Sequence, residues 1–455
     1  MSFTSLSFLF YFLPIALFSY TICPKSLKKA WLIIISLLFY GWMEPMNVLY
    51  LLSLILYAYL GGIFIQSGTS WKIKKLRTWI NCGFLIFLLL YFKYAQGFYD
   101  ALLALFQQEF QVSAWLMPLG SSFILFQVLS YFIDIANDRC EKPSLIDCAL
   151  YVSFFPKLLM GPIMPYHRFQ RENQLCALSW DGIENGVKRF TLGLAQKVIL
   201  ADSFALLYSG LSHDFSTLGS WLSSFAYTFE LFFDFAGYTS MAIGTAMMFG
   251  YYLNENFKHP YRALSVRDFW RRWHISLSTW FRDYVYIPLG GNRVSLLKHI
   301  GNILIVWLLT GIWHGNSFNF VIWGLYYGIL ILFEVYLPQR FHLPKHLARL
   351  LTFLIVNFGW VIFARSDLSE MNHQLQAMLC FGDVLVSAQS ISYLYSSIGL
   401  FTLAALIVFL PVERWFQSLI NRYSRSEFII YTCLLVIAIA YLLASQYQTF
   451  MYFQF

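Results

Sequence analysis

Charge is what this 455-residue sequence has least of: 12% of its residues are Asp, Glu, Lys or Arg, about half the share usual in a soluble domain. That scarcity excludes a water-facing surface over most of the chain. Apolar runs recur along its whole length, as an integral membrane protein requires. Cysteine is scarce too. Seven residues, at 23, 82, 140, 148, 176, 380 and 433, form no C-x-x-C pair, which excludes the usual zinc and disulfide frameworks and leaves small apolar fillers. No metal site and no bound cofactor are expected. The first apolar run, residues 6–22, has no basic residue before it and no small-residue cleavage site after it, so it reads as a retained span and not a signal peptide. A low-complexity linker is missing, and the only internal echo is Pro-Leu-Gly at 118 and 288, which weighs against an inverted-repeat transporter. With about 20 residues per span plus connections, ten or eleven spans fit and no large soluble domain does.

The charges that are present report orientation. A net charge of +8 would suggest nucleic acid in a soluble protein, but here the cations sit in short loops between apolar runs, so no nucleic-acid partner is expected. Lys25, Lys28 and Lys29 follow the first span and Lys72, Lys74, Lys75 and Arg77 the third, which puts both loops in the cytoplasm and the N-terminus outside. The turn at Glu44 and Pro45 and the loop at Gln107, Gln108 and Glu109 fall outside. Arg340, Lys345 and Arg349 read as inside, Asp367, Glu370 and Asp383 as outside, and Arg414, Arg422 and Arg425 as inside, which leaves residues 450–455 outside. Thirty Tyr and fifteen Trp suit interfacial belts and packing.

Thirteen apolar segments are candidate spans: 6–23, 30–43, 46–65, 78–95, 117–137, 145–162, 218–234, 238–253, 300–314, 317–337, 349–365, 393–411 and 428–445. Some must be short, tilted or re-entrant. Segment 145–162 carries Pro156, Lys157 and Pro162, and the pair at 218–253 is separated only by Asp234, Phe235, Ala236 and Gly237. Irregular backbone at membrane depth survives only where protein or a water-filled cavity shields it, so the middle third is expected to line a cavity. Residues 180–201 mix Asp181, Glu184, Lys188, Arg189 and Lys197 with apolar positions at helical spacing and suggest an interfacial helix.

Between 258 and 298 stand eight cations, Lys258, Arg262, Arg267, Arg271, Arg272, Arg282, Arg293 and Lys298, against Asp268 and Asp283. Ser265 with Asp268 forms a capping box that predicts a helix start. At about 100° per residue, Trp270, Trp273, His274, Leu277, Trp280 and Phe281 share one face and Arg271, Arg272, Thr279, Arg282 and Asp283 the other. The arginines either anchor the helix at the membrane surface or hold the phosphates of an acyl donor, coenzyme A or a carrier-protein phosphopantetheine. The next helix, starting near His299, carries His314 after about 22 Å of rise, deep in a core of about 30 Å. An ionisable group so placed defaults to function. Apolar surroundings disfavour the imidazolium, and a neutral ring is what a general base requires. Gly315, Asn316 and Ser317 would break the helix and let a polar substrate approach. Asp134, Glu230, Asp234 and Asn357 also lie at membrane depth, as relay groups or as glue between helices.

Taken together these residues resemble the membrane-bound O-acyltransferase family, in its bacterial alginate O-acetylation branch, over nearly the whole chain. The carriers are PLGSSFILFQVLSYFID at 118–134, residues 156–162 with Gly161, Pro162 and Ile163, LFFDFAGYTSMAIG at 231–244, the 257–293 block, TGIWHG at 310–315 and the terminal Tyr452, Phe453, Gln454 and Phe455. Met164, Pro165, Tyr166 and His167 depart from the pattern. The resemblance implies an all-α integral membrane protein with the MBOAT fold, about 11 transmembrane helices plus short re-entrant and interfacial helices, as a single polytopic domain over 1–455 with its catalytic core at about 118–337. It implies that the principal catalytic histidine is His314 and the second signature position His274. It also implies a cytoplasmic thioester donor, acetyl-CoA or a phosphopantetheine thioester, an extracytoplasmic polysaccharide acceptor, a partner O-acetyltransferase outside, and residence in the bacterial inner membrane with both termini extracytoplasmic. On this reading Arg271, Arg272, Arg282 and Trp273 bind the donor, and Trp313, Asn316, Ser317, Asp234 and Tyr238 line the cavity. D-alanyl transfer to teichoic acid from a carrier protein is the alternative within the family. From another class, a transporter or flippase of an acylated carrier would use Asp134, Glu230 and Asp234 as relay groups.

Overall fold

The structure is a computed structural model that describes every residue except 43, 107–116, 142–143, 174–177, 338–342, 383, 413–414, 416–417, 419–423 and 445–455. The loop at Gln107, Gln108 and Glu109, the residues Cys176, Arg340, Asp383, Arg414 and Arg422, the side chain of Arg425 and the 450–455 terminus, with its Tyr452, Phe453, Gln454 and Phe455, therefore lie outside the described residues. Among the described residues all regular secondary structure is helical. In chain order the helices are α1 (Leu13–Ile22), α2 (Lys28–Gly41), α3 (Met46–Gln66), α4 (Trp71–Leu105), α5 (Ser121–Ala136), α6 (Leu145–Ser153), α7 (Phe155–Leu158), α8 (Tyr166–Glu172), α9 (Trp180–Ala195), α10 (Asp202–Leu211) and α11 (Thr217–Met248). There follow α12 (Val266–Trp270), α13 (Ile275–Phe281), α14 (Leu296–His314), α15 (Phe318–Tyr336), α16 (Lys345–Ala364), α17 (Leu368–Met378), α18 (Ala388–Phe409) and α19 (Ser424–Ala444). Eight described helical stretches are long and apolar enough to cross a membrane, and Phe8–Ile22 and Ser121–Ala136 are shorter apolar helices.

The chain divides into two compact units, residues 1–190 with 239–254 and residues 191–238 with 255–455. In the first, Phe8, Phe39 and Phe155 are all fully buried, with ring centres 6.0 Å and 5.3 Å apart along the series. The segment expected as a span at 145–162 breaks between α6 and α7, where Phe154 turns to a ψ of 104° and Pro156 lacks the N–H that a continuous helix needs. Lys157, fully buried beside that break, donates to the Gln127 side-chain carbonyl and the Tyr151 backbone carbonyl. Asp134, also fully buried, pairs with His167 Nδ1 at 2.7 Å and Arg139 at 3.6 Å. The departing 164–167 stretch thus supplies a partner to a carboxylate inside this unit.

The second unit is organised on the antiparallel pair α14 and α15. Gly311 and Gly324 let their backbones touch: a Cβ on Gly311 would sit 2.3 Å from the Phe320 carbonyl oxygen, and one on Gly324 2.5 Å from that of Trp307. Asn357 on α16 takes a hydrogen bond from Ser224 Oγ at 3.0 Å and donates to Thr228 Oγ1 at 2.8 Å, so it ties α16 to α11.

Three sequence expectations are corrected. Residues 218–253 do not form two spans, because α11 runs unbroken through Asp234 and Gly237; Gly237 serves close approach, with a Cβ there only 2.8 Å from the Gly193 carbonyl oxygen. Residues 180–201, expected as a separate interfacial helix, instead continue into the 32-residue helical stretch Trp180–Leu211, which is long and apolar enough to cross a membrane and whose Lys197 is matched internally by carboxylates. The arginine-rich segment is not one helix. It starts as expected at Ser265, whose side chain accepts from the Asp268 N–H, but it stops after Trp270 and resumes at Ile275.

Candidate active site

The interruption falls on His274, which takes a left-handed conformation with φ of 43°, a sparsely populated state for a residue with a Cβ. Tertiary contacts impose it. The Lys258 N–H donates to the Arg272 carbonyl and the Ile275 N–H to the Asn256 carbonyl, both at 2.9 Å, so the irregular stretch at 256–258 clamps the chain on either side of the histidine. The ring is 2% exposed, stands edge-on to Phe235 at 4.7 Å and meets Asn256 Oδ1 through Nδ1 at 3.1 Å. Burial disfavours its charged form. The sequence expectation of a buried His274 thus holds, by a route no helical wheel describes.

Two adjoining chambers lie here, and one of them reaches His274. The inner one, of about 210 Å³, is lined by His274 together with Trp270, Arg267, Arg271, Ser278 and Thr310. The outer one, of about 440 Å³, is lined by Tyr286, Asn292 and His299 among others. Arg267, Val306, Trp307 and Ile331 border both. His299 sits between two phenols, with Tyr286 at 2.8 Å from Nε2 and Tyr336 at 2.5 Å from Nδ1. Along α14 the lining residues His299, Ile303, Val306, Trp307 and Thr310 follow one face, and His314 continues that face one turn further on.

His314 is the last residue of α14 and is 4% exposed. Its ring is boxed by Trp313 at 4.7 Å, Phe363 at 4.9 Å, Trp323 at 5.1 Å and Phe320 at 6.0 Å. It borders neither chamber. Trp313 connects the two histidines, since its indole also lies 6.4 Å from His274. The break after His314 is real: Gly315, Asn316 and Ser317 join α14 to α15, Asn316 is exposed, and Ser317 Oγ donates to the Ser366 carbonyl at 3.4 Å. Trp323 is 1% exposed and its Nε1–H has no hydrogen-bond acceptor among the described residues.

The other expected site residues separate into two groups. Arg271 is exposed at the mouth of the inner chamber. Arg272 is held by Asp268 at 2.8 Å and Arg282 by Asp283 at 2.7 Å, and neither lines a chamber. Trp273 was expected at the donor but is packed at 1% exposure, 4.8 Å from Trp360, 5.0 Å from Phe257 and 5.5 Å from Phe269; it is a core residue. Asp234 and Tyr238 are buried on α11 and line neither chamber. Asp234 pairs with Lys197 at 2.7 Å, and Lys197 also reaches Asp202 at 2.7 Å. Sequence reasoning missed Asn256, Tyr286, Asn292, Trp307 and Trp323, and did not single out Arg267 or His299. Arg267 was visible among the eight cations, and His299 as an ionisable group opening an apolar run. Asn256 carried no signal, because nothing in its spacing links it to His274.

Among known families, the model described as MBOAT, membrane-bound O-acyltransferase family, matches residues 63–366. This chain is a member of that family. It is 37% identical over 400 residues to a protein named "Probable alginate O-acetylase AlgI" from Pseudomonas putida, covering 84% of this chain and 81% of that one. It is 34% identical over 417 residues to "Peptidoglycan O-acetyltransferase" from Helicobacter pylori, covering 82% and 78%. Similarity to "Teichoic acid D-alanyltransferase" from Bacillus subtilis is 32% over 275 residues, covering 54% of this chain and 68% of the relative. As a member of the family this chain is a multi-pass membrane O-acyltransferase.

Proposed function

We propose that this enzyme moves an acetyl group from a cytoplasmic thioester to a hydroxyl of an extracytoplasmic envelope polysaccharide of alginate or peptidoglycan type, with His314 as general base. The observation that carries this reading is the run of chamber-lining residues on one face of α14, ending one turn short of His314. The cation-rich end, at Arg267, Arg271, Arg293 and Lys298, faces the cytoplasm by the positive-inside rule, which puts His314 toward the far side and both termini outside in the bacterial inner membrane. The donor, acetyl-CoA or an acetylated phosphopantetheine, sets its phosphates on Arg267 and Arg271, as guanidinium favours. Its arm passes His299 and Trp307.

At His314 the acceptor hydroxyl, of the polymer or of a partner transferase, attacks the thioester carbonyl while the imidazole takes its proton. A positioned base contributes about 10²–10⁴-fold. The Trp323 N–H, buried beside His314 and lacking an acceptor, is the donor best suited to the oxyanion. When the tetrahedral intermediate collapses, the C–S bond breaks and the imidazolium returns its proton to the departing thiolate, leaving an ester and a free thiol. Acetyl is favoured over D-alanyl because the acetyl-transferring relatives match over 84% and 82% of the chain and the D-alanyl one over 54%. The test is polymer O-acetylation in cells carrying His314→Ala or His274→Ala at normal protein level. His314→Ala should abolish acetylation to within detection and His274→Ala should weaken donor use; full acetylation by His314→Ala overturns the assignment.

A further inference from the structure

His274 is held by one side-chain oxygen, and that oxygen decides which ring nitrogen carries the proton. Asn256 Oδ1 accepts from the Ser276 backbone N–H at 3.2 Å and from Ser276 Oγ at 2.9 Å, and lies 3.1 Å from His274 Nδ1. The backbone N–H can only donate, so the atom facing it is the amide oxygen; the flipped amide would set an NH₂ against an N–H. Against an oxygen without a hydrogen, Nδ1 must be the donor. In a neutral imidazole the other nitrogen, Nε2, then bears the lone pair.

We infer that Asn256 is a positioning residue that locks His274 as the Nδ1–H tautomer, so that Nε2 serves the inner chamber as an acceptor. In that form His274 has no proton to offer a developing oxyanion. Its role is to receive a hydrogen bond from an N–H of the incoming donor, the chemistry a pantetheine-type amide supplies. The neighbours agree: Phe235 stands edge-on at 4.7 Å, and the left-handed turn, clamped at Arg272 and Ile275, fixes the backbone that carries the ring. The tautomer assignment stands independently of the donor reading; the role given to Nε2 rests on it.

Nitrogen-15 NMR of the full-length protein, labelled at histidine and solubilised in detergent, reads the tautomer, with the His274 signals assigned by their loss in His274→Gln. The expected spectrum has a pyrrole-type resonance at Nδ1 and a pyridine-type one at Nε2. Asn256→Leu should reverse the pair and raise the donor KM about tenfold, the loss of roughly one hydrogen bond, with kcat less affected. Asn256→Asp, which keeps the acceptor oxygen, should restore the wild-type tautomer. A proton on Nε2 in the wild-type protein, or a tautomer unchanged in Asn256→Leu, overturns the proposal. An Nδ1–H tautomer combined with an unchanged donor KM in Asn256→Leu would leave Asn256 as the positioning residue and refute the donor contact alone.

Discussion

Replacing Trp323 by phenylalanine removes one N–H beside His314 and little else that the reaction should notice. The indole is packed at 1% exposure among Trp270 at 5.5 Å, Tyr327 at 5.2 Å, Phe363 at 5.4 Å and His314 at 5.1 Å, and phenylalanine keeps an aromatic ring in that box. Two stability effects then oppose one another. Loss of the smaller ring's missing atoms leaves a void costing about 24 cal/mol per Å³, while removing a buried donor without an acceptor relieves a penalty of about 1–3 kcal/mol. The net change in stability should therefore be small. Catalysis should behave differently: a single oxyanion donor is worth about 10²–10³-fold in kcat. The measurement is acetyl transfer from an acyl thioester to a soluble oligosaccharide in detergent at saturating donor, with thermal unfolding followed in parallel. A kcat within threefold of wild type in a protein of unchanged melting temperature would refute the oxyanion role. Combining Trp323→Phe with His314→Ala should cost little beyond His314→Ala alone, since groups acting as a unit are not additive.

Lys197→Met should destabilise the protein by about 3–5 kcal/mol, because Asp202 and Asp234, 3% and 1% exposed, would lose the cation they share; a melting temperature equal to wild type would refute the cluster's structural role, and adding Asp202→Asn and Asp234→Asn should recover most of the loss. Arg271→Ala should raise the donor KM and flatten its dependence on salt, because one guanidinium–phosphate contact is lost, whereas Arg282→Ala, paired with Asp283 and away from both chambers, should leave it unchanged. Equal effects on KM from the two arginine variants would contradict the proposed path of the donor.

Much of the helical layout was legible because an apolar run of the right length has few alternatives in a membrane. The expected 300–314 span is α14, Leu296–His314, and 317–337 is α15, Phe318–Tyr336. The failures came where a charge or a glycine looked like punctuation. Asp234 and Gly237 read as a turn, yet Asp234 is matched by Lys197 and Gly237 admits the backbone of Gly193, so both belong inside a helix. Lys197 likewise made 180–201 look interfacial. A sequence window sees the charge and not the partner that neutralises it.

The same limit governs how much of the site could be read. A histidine at the end of an apolar run is anomalous by itself, so His314 was visible, and the amphipathic pattern put His274 on the buried side. The turn that carries His274 depends on residues 256–258, whose pairing is a tertiary fact that overrides a helical wheel. Polar groups at membrane depth all look alike in the sequence, but the structure divides them by whether their hydrogen bonds are answered. Asp134 has His167 and Arg139, Asp234 has Lys197, and Asn357 has Ser224 and Thr228. These are held in place, and a group whose bonding capacity is spent on its neighbours has little left for a substrate. Trp323 is the converse, a donor sealed beside a histidine with no acceptor among the described residues. Since an unanswered buried donor costs folding free energy, the proposed mechanism, in which a passing carbonyl oxygen answers it, would give its placement a physical reason.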